Sequence, residues 1–266
     1  MNLLLLLEED FLTDGTVRLT GRRAAHARTV LRVNEGERLR VGKLNGRVGE
    51  GRVISVSSDE LRLHVSLTEE PPNRPGIDLL LALPRPKALK RILSSAASLG
   101  IDRIVLLNAA RVEKSYFDSK VLDQQFSRSL LIEGLEQAQD TRLPTLSIRN
   151  RLKPFVEDEL DELLGRQARR VLAHPTIAAQ TLPAFTSGPR TAVAIGPEGG
   201  WIPFEIDLLA AHGFHVAAFG VRSLRVEVFV PFVLGWLQGE RQSQAGLDTR
   251  QPRDLNPSRI CSQYGP

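Results

Sequence analysis

Three glycines, one proline and one carboxylate follow a short apolar run, at Gly196-Pro197-Glu198-Gly199-Gly200. Glycine lacks a Cβ atom, so backbone amides in such a stretch can approach a ligand closely and can adopt positive φ angles. The glycine spacing differs from the dinucleotide-binding fingerprint, and no Gly-Lys-Ser or Gly-Lys-Thr follows, which excludes a P-loop. Two interpretations stay open: a ligand-binding loop, or a tight turn between a strand and a helix.

A second group of chemically capable side chains lies downstream, where Arg222, Arg225 and Glu227 fall within six residues. Charged side chains in a turn beside a glycine-lined loop are candidates for chemistry, so this turn is a candidate functional site. The alternative is a salt-bridged start of a helix. The five histidines are scattered and Cys261 is the single cysteine, so neither a metal site nor an internal disulfide is predicted.

Three apolar segments end where these turns begin. Strands are predicted at 169–175, 191–196 and 215–220, because continuous apolar runs are typical of strands buried on both faces of a parallel sheet. In open α/β sheets, ligands bind beyond the carboxyl ends of the strands. The sequence therefore predicts that these three strand ends, including His174-Pro175 in the first, converge on one ligand.

The chain divides into two regions of different pattern. Residues 1–70 hold short segments with alternating or β-branched residues, which predict a small β-barrel, and the proline-rich stretch 71–76 is a predicted linker. Over 77–240, apolar strands alternate with amphipathic helices, which predicts an α/β domain with a mostly parallel sheet. Residues 241–266 are poor in apolar side chains and are predicted to be a disordered tail.

The same patterns assign the other elements. Further strands are predicted within the leucine run near the N-terminus and at 16–20, 38–43, 51–57, 61–67, 77–83, 102–108 and 145–148. Helices are predicted at 22–32, 87–99, 118–138, 154–167 and 229–238. The last of these is apolar nearly all round, which predicts either a dimer interface or burial in the core of the monomer.

The charge of the chain permits an anionic partner without requiring one. The chain holds 35 Lys and Arg against 31 Asp and Glu residues, a formal net charge of +4. Residues 84–120 carry eight basic and three acidic residues, so this stretch is the better candidate for RNA binding, with a solvated helix face as the alternative. The N-terminal leucine run is too short to cross a bilayer and lacks a basic start, so a cytoplasmic protein is predicted.

Several stretches closely resemble the RsmE family of SPOUT-superfamily methyltransferases. The residues IGPEGGW, LAAHGF and FGVRSLRVE together resemble the C-terminal signature of that family. Residues 26–41 look like its barrel motif, and 82–115 and 133–146 resemble two further segments. The resemblance covers roughly residues 1–238.

This resemblance implies an N-terminal PUA-like β-barrel and a C-terminal SPOUT domain with a deep trefoil knot. It also implies a homodimer that uses S-adenosyl-L-methionine, without a metal. The implied reaction is N3 methylation of one uridine in the decoding region of 16S ribosomal RNA, with the small ribosomal subunit as the expected partner.

The resemblance also implies site residues. Cofactor contacts carried over by position fall on His174, Pro175, Ile195, Gly196, Pro197, Glu198, Gly199, Gly200, Phe219, Gly220, Arg222 and Leu224. Arg225 is the candidate for charge stabilisation, while Glu227 either accepts the N3 proton or orients Arg225. The RNA surface is predicted on Arg22, Arg23, Arg28 and Arg32 of the barrel and on Arg85, Lys87, Lys90, Arg91, Arg111, Lys114 and Arg142 of the second domain.

The chain departs from the family pattern at four places. The expected Glu-Thr-Ala reads Glu227-Val228-Phe229, Ser223 replaces the isoleucine after the first arginine, Ser98 replaces a glutamate, and Gln139-Asp140 replaces Gly-Arg. These departures bear on substrate positioning and rate more than on fold. A non-catalytic RNA-binding factor for ribosome assembly is therefore the alternative function, and a methyltransferase for another RNA site is a third.

Overall fold

The computed structural model describes residues 3–29, 32–175 and 190–248. Within these ranges the strands form a five-stranded sheet near the N-terminus and a six-stranded sheet that follows it. Each sheet has its own cluster of buried apolar side chains. The α/β class and the small β region that precedes it are therefore confirmed.

The N-terminal region is a small curled sheet with one helix. Its elements are β1 (Leu4–Leu6), β2 (Thr16–Thr20), α1 (Gly21–Thr29), β3 (Arg38–Lys43), β4 (Val48–Val56) and β5 (Glu60–Glu69). The strand order is β1-β3-β4-β5-β2, with β1 parallel to β3 and the other pairings antiparallel. Burial largely alternates along β4, because one face covers the apolar core. Two register shifts in the β4–β5 pairing help the sheet to curl.

The second region is built on a parallel sheet. Its strands are β6 (Ile77–Ala82), β7 (Arg103–Leu107), β8 (Thr145–Arg149), β9 (Arg169–Ala173), β10 (Thr191–Ile195) and β11 (Phe214–Ala217). The order is β11-β9-β10-β6-β7-β8, and every pairing is parallel. Strands β6 and β10 are buried along their whole length, as their continuous apolar runs predict.

Helices flank this sheet. They are α2 (Pro86–Ser98), α3 (Gln124–Ala138), α4 (Leu152–Pro154), α5 (Leu160–Leu164), α6 (Pro203–Ala211) and α7 (Val226–Asp248). Helix α2 buries Leu89, Ile92 and Leu93 and packs against α3 and α7. A trefoil knot depends on how the chain threads between β9 and β11, and residues 176–189 of that connection lie outside the described residues. The knot therefore stays a prediction.

Two predicted helices differ from the observed ones. The helix predicted at 118–138 begins only at Gln124, because Asp123 accepts the N–H of Phe126 at 2.9 Å and starts a new helix there. Two 3-10 turns precede it, at Lys114–Asp118 and Lys120–Leu122. The helix predicted at 154–167 is divided by a π turn at Phe155–Glu159.

The tail predicted for 241–266 begins later than expected, because α7 continues to Asp248. Arg169 pairs with Glu240 at 2.6 Å, and Arg241 donates to the carbonyl oxygen of Gly76 at 3.2 Å. These contacts hold α7 against the sheet beyond its apolar part, and a polar composition cannot reveal them. Residues 249–266 lie outside the described residues, so the prediction stays open there.

Specific hydrogen bonds join the two regions. The N–H of Asn45 donates to the carbonyl oxygen of Thr141 at 2.7 Å, and Asn45 Oδ1 accepts the N–H of Leu143 at 2.8 Å. Arg142 donates to the carbonyl oxygen of Pro71, at the start of the predicted linker, at 2.8 Å. The β region is therefore held against the loop that follows α3.

Candidate active site

The ends of β9, β10 and β11 lie side by side at one edge of the sheet. These strands are neighbours and run parallel, so their carboxyl ends meet, as the sequence predicts. The N–H of His174 donates to the carbonyl oxygen of Ala217 at 3.0 Å, which joins the ends of β9 and β11. Ile195 is buried at the end of β10, whereas Pro175 is exposed.

The glycine loop (residues 196–200) turns sharply after β10. The N–H of Gly200 donates to the carbonyl oxygen of Pro197 at 2.8 Å, and Gly200 has a φ of +71°, which favours glycine. A Cβ atom on Gly196 would lie 3.1 Å from Trp201 Nε1, so the indole packs directly against the start of the loop. The loop therefore forms a tight turn, and its glycines also leave backbone atoms exposed without side chains, so both interpretations of the sequence remain compatible with it.

Trp201 is a candidate site residue that the sequence reasoning missed. Its side chain is 3% exposed, and its Nε1 atom has no hydrogen-bond partner in the described part of the chain. Leaving a buried donor unpaired costs roughly 1–3 kcal/mol, so this N–H is a candidate donor to a bound water or ligand. An aromatic residue directly after two glycines was the available signal.

Glu205 fastens the residues after the glycine loop. It is buried on the first turn of α6, where Oε2 accepts the N–H of Ile202 at 3.0 Å and Oε1 accepts the N–H of Ala110 at 2.7 Å. The first contact caps α6, and the second ties α6 to the segment after β7. Pro203 at the first helical position and an acid two residues later were the sequence signals for this start.

Two arginines brace the outer side of the glycine loop. Glu198 Oε1 accepts from the backbone N–H of Arg85 at 3.1 Å and from its Nε at 3.0 Å. Arg111 Nη1 donates to the carbonyl oxygen of Gly199 at 2.5 Å. The hydrogen bond to Glu198 raises the pKa of Arg85. Residues predicted separately, as cofactor contacts and RNA contacts, therefore meet in this structure.

The turn before α7 exposes its charged residues. Arg222, Leu224 and Arg225 are exposed, and Glu227 is half-buried on the first turn of α7. No ion pair joins Arg225 to Glu227 among the described residues, so the salt-bridged helix start is not observed. Glu227 instead lies within electrostatic range of Arg85, whose pKa it helps to raise.

Aromatic packing accounts for one departure from the family pattern. Phe219 is buried, with its ring centroid 6.2 Å from Phe229 and 5.3 Å from Trp236, both edge to face. Phe229 therefore belongs to the apolar contact between the turn and α7. Gly220 follows with a φ of +90°, which lets the chain leave this contact.

The departures at Ser98 and at Gln139-Asp140 also have structural partners. Ser98 Oγ donates to the carbonyl oxygen of Gly134 at 2.8 Å, which joins α2 to α3. Gln139 ends α3 in the left-handed conformation, with a φ of +58°. Asp140 Oδ1 accepts the N–H of Thr141 at 2.7 Å and that of Arg142 at 3.0 Å. Gln139 and Asp140 thus begin the loop that contacts the β region through Thr141 and Leu143.

The predicted RNA-binding residues fall into two groups. Exposed ones are Arg28, Arg32, Arg85, Lys87, Lys90, Arg91, Arg111 and Lys114. Arg23 instead forms a two-pronged pair with Asp10 at 2.5 and 2.7 Å, and Arg142 is bound to the linker. The side chain of Arg22 lies outside the described residues.

His174 lies half-buried at the end of β9, and its burial lowers the pKa of its imidazole below the usual 6.5. The ring is therefore neutral at pH 7. The described residues contain no group of three or more His, Cys, Asp or Glu side chains that could hold a metal ion. Among the helices in the described ranges, none is long and apolar enough to span a membrane.

Comparison with known proteins gives consistent matches over both regions. Residues 71–238 match the RNA methyltransferase domain model, and residues 19–66 match the RNA methyltransferase PUA domain model. The chain is 32% identical to a ribosomal RNA small subunit methyltransferase E of Treponema pallidum, covering 84% of this chain and 86% of that protein. It is 24% identical to methyltransferase E 1 of Borreliella burgdorferi, covering 85% and 93%.

Solved structures share the fold. A ribosomal RNA small subunit methyltransferase E from Neisseria gonorrhoeae, bound to S-adenosyl methionine, superposes with a TM-score of 0.70 at 21% identity, covering 90% of this chain and 97% of that one. A Legionella pneumophila protein in complex with the cofactor SAM gives a TM-score of 0.74 at 24% identity, with the same coverage.

Proposed function

Because this chain belongs to the RsmE family of ribosomal RNA methyltransferases, we propose that it methylates N3 of a uridine in small-subunit ribosomal RNA. It is an enzyme that uses S-adenosyl-L-methionine and acts on RNA. The observation that carries the assignment is the match of the RNA methyltransferase domain over 71–238, the region whose adjacent strand ends form the site. A cytoplasmic location follows from this substrate.

The residues at the strand ends suit the cofactor. Trp201 offers an unpaired buried N–H beside Gly196, and the glycine loop offers backbone groups without intervening side chains. The neutral imidazole of His174 adds no positive charge beside a positively charged sulfonium. These residues, together with the buried Phe219 and the end of β10, would hold the cofactor, which supplies an electrophilic methyl group when bound.

The chain's own chemistry concerns the proton on N3 of the uridine. N3 is a poor nucleophile until that proton leaves, and negative charge then spreads to the neighbouring carbonyl oxygens. Arg225 is exposed just before α7, so its guanidinium is free to donate to one of these oxygens. Glu227, which is not paired with Arg225 among the described residues, accepts the proton. Holding the uridine in line with the methyl group contributes most of the remaining rate.

We propose a homodimer through one face of α7. Val228, Phe232 and Trp236 are spaced by four residues and are 50%, 46% and 41% exposed. Such an apolar stripe is unfavourable in water, and it lies next to the turn that carries Arg225. Phe232→Glu is expected to give a monomer in light scattering, with Asp207→Ala on the exposed face of α6 as a control. A wild-type protein that is strictly monomeric at micromolar concentration would contradict the dimer.

The test of function uses small-subunit RNA from cells that lack this protein. Incubation with the protein and S-adenosyl-L-methionine is expected to produce 3-methyluridine, detected by nucleoside mass spectrometry, and to restore the modification missing from those cells. Cofactor and RNA binding without turnover would favour the alternative, a non-catalytic assembly factor. The packing of Phe229 against Phe219 gives the altered Glu227-Val228-Phe229 motif a structural role, which weighs against that alternative.

A further inference from the structure

Arg85 and Glu198 form an ion pair in which a single carboxylate oxygen accepts both hydrogen bonds. Both hydrogen bonds end on Glu198 Oε1, one from the backbone N–H and one from Nε of Arg85. The side chain of Glu198 is 26% exposed, whereas that of Arg85 is 62% exposed. The carboxylate is thus partly covered while most of the arginine stays open to solvent.

The terminal nitrogens of Arg85 are available to a ligand. The bonds from Arg85 to Glu198 use its Nε and its backbone N–H. Its Nη1 and Nη2 atoms make no hydrogen bond with a described residue. The guanidinium is planar and rigid, so a bond at Nε orients the two terminal nitrogens. Such a fork matches two oxygens of a phosphate.

A second arginine, Arg111, bonds to the next residue of the glycine loop. Arg111 Nη1 bonds to the carbonyl oxygen of Gly199, and a Cβ atom on Gly199 would lie 3.1 Å from Arg111 Cδ. Arg85 follows β6 and Arg111 follows β7, so two neighbouring strand ends place cations on one rim of the glycine loop. Exposed Lys87, Lys90 and Arg91 extend positive charge along α2 from this rim.

We propose that Arg85 positions the RNA by binding a backbone phosphate through Nη1 and Nη2, and that Glu198 orients Arg85 rather than contacting the cofactor. The proposal rests on the proposed function. It means that the loop beside the methyl donor also determines where the RNA strand lies.

The test compares Arg85→Lys, Glu198→Gln, Glu198→Ala and the double variant Arg85→Lys/Glu198→Ala. Lysine keeps the charge but loses the fork, so Arg85→Lys is expected to raise Kd and KM for RNA roughly tenfold, with the salt dependence unchanged. Glu198→Ala is expected to raise both by a similar factor. Glu198→Gln keeps an acceptor oxygen and stays within about twofold of wild type.

Three further measurements test whether Glu198 acts by orienting Arg85 or contacts the cofactor or the RNA itself. In the double variant, RNA affinity is expected to match that of Arg85→Lys, because Glu198 acts through Arg85. Affinity for S-adenosylhomocysteine should stay within about twofold of wild type in all variants, because none of them is expected to contact the cofactor. Arg47→Lys is the matched control, since Arg47 Nε pairs with Glu70 at 2.8 Å and its side chain is 60% exposed, and it should leave RNA affinity unchanged.

Several results would overturn the proposal. Weakened S-adenosylhomocysteine binding in Glu198→Ala would make Glu198 a cofactor contact. Additive effects in the double variant, or normal RNA affinity in Arg85→Lys, would remove the orienting role. RNA and cofactor affinities are measured without turnover, so they decide this proposal even if wild-type protein forms no 3-methyluridine, an outcome that would count against the proposed function alone.

Discussion

Glu205 gives the sharpest test of how the glycine loop is held in place. Its carboxylate accepts the N–H groups of Ile202 and Ala110, which belong to the segments after β10 and β7. Glu205→Ala removes both bonds and weakens the connection between the glycine loop and the segment after β7, where the bond from Arg111 to Gly199 remains. We therefore expect a loss of stability together with weaker cofactor binding.

The size of the effect follows from the two bonds. A hydrogen bond to a charged acceptor contributes about 1.5–3 kcal/mol, and partial solvent access to both donors favours the lower value. Glu205→Ala should therefore lower the free energy of unfolding by roughly 3 kcal/mol, out of about 5–15 kcal/mol for a typical domain. Glu205→Gln keeps one acceptor and directs an NH2 group at the other N–H, so about half of that loss is expected.

Chemical denaturation measures the free energy of unfolding, and calorimetric titration with S-adenosylhomocysteine measures the affinity of the site for the cofactor. Asp207→Ala is the control, because Asp207 lies exposed on the same helix and should change stability by less than about 0.5 kcal/mol. If Glu205→Ala also loses less than about 0.5 kcal/mol and binds the cofactor normally, Glu205 is not an anchor and the reasoning fails.

Three other predictions concern charge. Arg225→Lys should reduce single-turnover methylation roughly a hundredfold without changing cofactor affinity, and a normal rate would remove Arg225 from the chemistry. Replacing Lys87, Lys90 and Arg91 together by alanine should lower the salt slope of RNA binding by up to about three, whereas an unchanged slope would place the RNA elsewhere. NMR titration should give His174 a pKa below 6.5, because burial disfavours the charged imidazole. The free energy of unfolding should therefore be highest above pH 6.5, where the ring is neutral in both states, and fall as the pH drops toward the pKa of the folded state. A pKa at or above 6.5 would contradict the burial of the ring.

Local patterns in the sequence were enough to predict most elements of the fold. Alternation predicted the strands of the N-terminal region, and continuous apolar runs predicted β6 and β10, because burial on one or both faces leaves these periodicities. The convergence of the strand ends also followed, since parallel strands place their carboxyl ends together. The individual roles of the site residues needed the resemblance to a family and stay predictions.

Contacts between distant residues were decided only by the tertiary structure. Arg85 and Glu198 are 113 positions apart, and Ala110 and Glu205 are 95 apart, so no local period connects them. The unpaired N–H of Trp201 likewise becomes visible only when packing buries the indole. A sequence alone therefore predicts which residues can do chemistry, but a charged or polar side chain acquires its role from the partner that the fold places beside it.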